Sequence, residues 1–209
     1  MTKITTKGSP VQVNLGDTAG VSKQVMGRYE ASYDALQKGQ SRIDGLSQML
    51  SLVDKVDSGW GAESVLEAQK VLDRLGFDVD KETIATGEAF RTLTMDRVLE
   101  RIAGTKGAIS EKEMDAFEKA SAGLKNTPEG NKLILKMAIE SERRQQMVHD
   151  FRVQTIQRNP DIGLFELDRM ASEYEKEVRG QPIFTEQEMG MIRASSGSTT
   201  SNDDPLGIR

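Results

Sequence analysis

Apolar residues along most of this chain recur at three-, four- and seven-residue spacing, the period of helices that bury one face. Over 17–56, with Asp17 as N-cap, the stripe consists of Val25, Tyr29, Leu36, Ile43, Leu46, Leu50 and Val53. Leu36, Ile43 and Leu50 hold one heptad position, and Leu46 and Val53 another. Gly39 interrupts that seam, and Gly27 and Gly45 weaken the helix interior by about 1 kcal/mol each against Ala. The pattern predicts a long amphipathic helix, bent or split near Gly39, rather than a coiled coil. The turn Asp57-Ser58-Gly59-Trp60-Gly61 ends it. A second helix is predicted over 62–75, with Val65, Ala68, Leu72 and Leu75 on one face and Gly76 where a left-handed C-cap belongs. A third is predicted over 81–103, with Asp80 as N-cap and Ile84, Phe90, Leu93, Val98, Leu99 and Ile102 as its apolar positions.

The second half carries stronger start signals. Ser110-Glu111-Lys112-Glu113 is a capping box that opens a helix over 111–124, with Met114, Phe117, Ala120 and Leu124 facing inward. Thr127 caps the next helix, and Pro128 sits at its first position, where a missing N–H costs nothing. This long helix, over 128–157, is apolar at its ends (Leu133, Ile134, Met137; Val148, Phe151, Ile156) and polar over 141–146. That is the pattern of a helix that leaves the core midway and rejoins it. Asn159-Pro160-Asp161 ends it. A helix over 163–178 follows, and the box Thr185-Glu186-Gln187-Glu188 starts a last one through Ile192.

The chain ends differ from the middle. Residues 1–16 are polar and punctuated by Gly and Pro, and read as an extended arm. Within the arm, Val11-Gln12-Val13-Asn14-Leu15 alternates with period two; this is either a short strand that needs a partner's edge or chance in an irregular arm. Residues 194–209 are rich in Ser, Thr, Asn and Asp and read as a flexible tail. The expected fold is therefore all-α: an irregular helical bundle over 17–157, C-terminal helices over 158–193, and the two polar ends.

Composition narrows the function classes. With 36% hydrophobic residues, 5% aromatic and a mean hydropathy of -0.51, the core is modest and part of the surface is free for other chains to complete. Ten methionines suit adaptable contacts. A net charge of -5 lacks the basic footprint of a nucleic-acid binder, and zero Cys excludes disulfides, thiolate metal sites and cysteine nucleophiles. No stretch reaches the roughly 18 apolar residues of a membrane span, and no apolar region follows the basic start as in a secretion signal.

The stretch over 107–136, GAISEKEMDAFEKASAGLKNTPEGNKLILK, resembles a segment shared by proteins encoded among the structural genes of tailed bacteriophages, short-tailed ones above all. The shared features are Lys106-Gly107-Ala108-Ile109-Ser110 with Glu113, then Phe117 and Leu124, then Asn126-Thr127-Pro128-Glu129-Gly130-Asn131 leading into Leu133-Ile134-Leu135. The resemblance covers about 75–157. It implies a non-enzymatic virion component, made in the host cytoplasm, forming homo-oligomers and contacting other virion proteins. Its place would be the portal–tail region, the particle interior or the set ejected with DNA. The alternatives are a virion-associated lytic or DNA-handling factor, and a scaffold or chaperone lost before maturation.

The residues themselves offer little chemistry. Ser110, Glu113, Thr127 and Pro128 read as caps. His149 is the only histidine, so neither a histidine metal cluster nor a well-supported catalytic triad is available within one chain. No cofactor is expected. Glu111, Glu113, Asp115 and Glu118, and likewise Glu173, Glu175 and Glu177, are interleaved with lysines and read as solvated helix faces rather than a glycosidase pair. Over 127–157, five basic residues stand against four acidic ones, which predicts weak or no direct nucleic-acid binding. An oligomer could still align Arg143, Arg144 and Arg152 toward DNA. Val11, Val13 and Leu15 are the arm's candidate partner contacts, and Trp60 is either a core plug or a partner anchor.

Overall fold

The computed structural model describes residues 23–57, 59–104 and 109–197, which fold into seven α-helices and one short 3-10 turn. The expected arm, its strand over 11–15 with Val11, Val13 and Leu15, and tail residues 198–209 lie outside the described residues. Helix α1 spans Lys23–Val56, α2 Ala62–Arg74, α3 Gly87–Ala103, α4 Glu111–Leu124, α5 Pro128–Arg158, α6 Leu164–Gly180 and α7 Glu186–Gly197. Among the described residues there is no strand.

The start signals act as their chemistry requires. The Thr127 hydroxyl accepts from the Gly130 N–H at 3.0 Å, and Pro128 occupies the first turn of α5. Gly76 adopts φ +82°, and the Phe77 N–H reaches back to the Leu72 carbonyl at 2.9 Å to close α2.

The helix expected over 81–103 is corrected. Residues Glu82–Ile84 form a single 3-10 turn, and α3 begins only at Gly87, capped by the Thr86 hydroxyl on the Ala89 N–H at 3.2 Å. Packing explains the late start. Ile84 is fully buried, and a Cβ on Gly87 would lie 2.6 Å from Val56 Cγ1, so α3 can approach the end of α1 only with glycine there. Of the bend or split expected near Gly39, the split is absent: α1 is one continuous helix through it. Gly39 instead admits a neighbour: a Cβ there would stand 2.7 Å from the Gln146 amide nitrogen of α5.

Helix α5 is the axis of the molecule, with α1, α3, α4 and α6 packed around it, α2 lying on α1 and α7 on α4. Helices α1 and α5 run antiparallel, Asp54 of α1 pairing with Lys132 near the start of α5 at 3.0 Å. Two apolar cores result. The main core holds Leu46, Met49, Leu52, Phe90, Phe117, Ile134 and Leu135 among thirty buried apolar side chains. A distal core of six is built by Val25 and Tyr29 of α1, Val153 and Ile156 of α5, Ile162, and Leu167 of α6.

Candidate functional site

The polar stretch of α5 lies between the two cores and does not leave the interior, contrary to its sequence pattern. Ser141, Glu142 and Arg144 are 1%, 3% and 6% exposed. Glu142 uses both carboxylate oxygens: Oε2 accepts from Arg42 Nε of α1 at 2.9 Å, and Oε1 from Arg101 Nε of α3 at 3.0 Å. One buried charge thus fastens three helices. Two arginines on one carboxylate leave the layer cationic, and about a quarter of each arginine side chain meets solvent. Arg101 also donates to the Leu75 carbonyl at 3.4 Å, tying in the end of α2.

A second buried carboxylate organises the link between α6 and α7. In a capping box the glutamate reaches back to the N-cap amide. In the first box only the serine half of that exchange forms: the Ser110 hydroxyl accepts from the Glu113 N–H at 3.3 Å. The Glu113 carboxylate accepts from the Ser110 hydroxyl at 2.5 Å and, through its other oxygen, from the Ile183 N–H at 2.7 Å. Arg144 donates to the Gln181 carbonyl at the C-terminal end of α6, where the helix dipole favours a cation. Burial pushes the Arg144 pKa down from its ordinary value, and the carboxylates of Glu113 and Glu140 oppose that shift. Phe184 then stacks on Phe117 at 6.4 Å, and Lys136 pairs with Glu188 at 2.6 Å. The last box is reciprocal, Thr185 and Glu188 each accepting from the other's N–H at 3.3 and 2.8 Å.

The residues singled out from sequence do not converge. Arg143 is exposed and pairs with Glu140; Arg144 is buried, and Arg152 is half-buried with its Nε shielded and unbonded. The three arginines therefore share no surface. Trp60 stacks on Phe90 at 4.7 Å and donates its indole N–H to the Ile84 carbonyl at 3.1 Å, against the main core. Glu113 departs from the solvated face expected of it, whereas Glu111, Asp115 and Glu118 are exposed. Glu173 and Glu175 pair with Arg169 and Arg179 along α6, and Glu177 is exposed. Sequence reading missed Arg42, Arg101 and Glu142, whose partners lie 100 and 41 residues apart. The one local signal was Glu142 inside an otherwise central helix.

His149 sits in the α1–α5 seam, Nδ1 at 3.4 Å from the hydroxyl of buried Ser32. Burial first, then Arg152 and Arg42, hold its pKa below the ordinary value. A shallow apolar cleft of about 120 Å³ opens between α3 and α4, lined by Leu99, Ile102, Met114 and Phe117 and edged by Glu118. Among the described residues no group of three carboxylates or histidines is placed to hold a metal ion, and no helix is long and apolar enough to cross a membrane. No family model, no curated protein and no solved structure matches the chain.

Proposed function

We propose that this chain is a non-catalytic, multi-copy structural component of a tailed-phage particle, in its portal–tail region or among its internal and ejected proteins, acting in particle assembly and genome delivery. The observation that carries the non-catalytic reading is the state of the two buried carboxylates among the described residues. Glu113 and Glu142 have both oxygens engaged by donors that join helices, so neither is a desolvated acid facing a cleft. The resemblance over 75–157 supplies the particle, and the lean, methionine-rich composition supplies surface for neighbours.

Mass spectrometry of purified particles tests the reading. The chain is expected in mature particles at several copies each. Its presence in infected cells together with absence from mature particles would identify a departing scaffold instead. Peptidoglycan release that disappears on changing a single carboxylate would replace the structural reading with a lytic one.

A further inference from the structure

The two cores meet at a layer whose one imidazole stands half-buried beside two guanidiniums. His149 projects from α5 into the seam with α1, beside Ser32 and within electrostatic reach of Arg42 on α1 and Arg152 on its own helix. The buried carboxylate of that layer, Glu142, is already divided between Arg42 and Arg101. On α1, Asp34 pairs with Lys38, Asp44 accepts from the Gln40 amide, and Glu30 is exposed. Helix α6 meets α5 through the Phe151–Tyr174 stack; of its carboxylates, Asp168, Glu166, Glu173 and Glu175 are held by Arg28, Arg169 and Arg179, and Glu177 is exposed. On α5 itself, Asp150 is exposed and accepts from Gln154. Among the described residues, a proton on His149 would therefore add positive charge beside the Arg42 and Arg152 guanidiniums, while the buried carboxylate of the layer, Glu142, is already shared by two arginines.

We propose that the α1–α5 seam at His149 is an acid-sensitive joint, whose protonation parts the distal core while the main core stays folded. The asymmetry follows from core size, six buried apolar side chains against thirty. The sign follows from linkage. In the closed seam, burial and two guanidiniums hold the imidazole below its ordinary pKa of 6.5, so the parted form binds the proton more tightly. Closure is complete above the ordinary histidine range and weakens as pH falls through it.

The aromatic residues give each core its own reporter. The single tryptophan, Trp60, packs on the main core, whereas all three tyrosines lie at the distal end: Tyr29 in its core, Tyr33 against it, and Tyr174 on Phe151. The single histidine makes the imidazole NMR resonance unambiguous. The full chain is titrated from about pH 8 to 5, the interval in which histidine changes charge. Expected are an imidazole midpoint below 6.5, loss of tyrosine near-ultraviolet circular dichroism over the same interval, and unchanged Trp60 emission. His149→Gln should hold the tyrosine signal level throughout. An imidazole midpoint at or above 6.5, tyrosine and tryptophan signals changing together, or a tyrosine transition that persists in His149→Gln would each overturn the joint. The wild-type titration decides the first two even if the variant fails to fold.

Discussion

Removing the charge of Glu142 should cost more than removing almost any surface charge in this protein. Glu142→Gln keeps the side-chain shape but leaves Arg42 and Arg101 facing one another across α5, each losing a carboxylate at 2.9–3.0 Å. Breaking a buried ion pair from one side costs about 3–5 kcal/mol. Roughly a quarter of each arginine side chain here meets water, which screens part of that cost. About 2–3 kcal/mol remains, and for a chain of this size that corresponds to a fall of about 4–12 °C in Tm. Thermal melts followed by circular dichroism measure it directly. The companion variant carries Arg42→Met, Glu142→Leu and Arg101→Met together. Apolar replacement of a whole buried network is often neutral or stabilising by about 1–4 kcal/mol, so the triple variant should melt at or above the wild-type temperature. A Glu142→Gln loss under about 1 kcal/mol would show that water already solvates the layer. A triple variant melting below Glu142→Gln would refute the electrostatic account and assign the cost to shape.

Other positions test the packing and the latch. Gly130→Ala places a Cβ 2.2 Å from the Leu124 backbone carbonyl, which cannot rotate away, and should lose about 1–3 kcal/mol in a urea melt. Gly39→Ala meets only the Gln146 side chain, whose amide nitrogen at 2.7 Å must rotate aside, and gains about 1 kcal/mol of helix propensity, so its melt should stay close to wild type. Glu113→Ala removes the acceptor of the Ile183 N–H; hydrogen exchange at Ile183 should accelerate, with about 2 kcal/mol lost, as for a bond to a charged group. For Glu188, burial raises the pKa, but Lys136 and the Thr185 N–H and hydroxyl outweigh it and hold the carboxyl below its ordinary value. Its contribution is therefore present above that value and lost as pH falls through the folded pKa, and Lys136→Met should flatten this part of the acid stability profile.

Local chemistry was readable wherever it was sufficient. Thr127 with Pro128, Ser110, Gly76 and the box at Thr185 act through neighbours within a few residues, and each behaves as its type and spacing predict. The errors arise where a residue's surroundings come from elsewhere in the chain. Gly39 looks like a helix break until Gln146, from another helix, is placed against it. Thr86 outcompetes Asp80 as a cap because Ile84 must sink beneath Trp60 and Gly87 must meet Val56. The 141–146 stretch has the composition of a solvated helix, and composition alone cannot distinguish water from two arginines supplied by α1 and α3. What could have distinguished them is the rest of α5. Apolar residues flank that stretch on both sides, and a continuous helix cannot leave a core and return within two turns without bending. A straight α5 therefore requires its charged middle to be buried, and a buried carboxylate requires cations from its neighbours. On that reasoning the Arg42–Glu142–Arg101 layer is a consequence of helix length, and the position of His149 beside it makes the same layer responsive to acid.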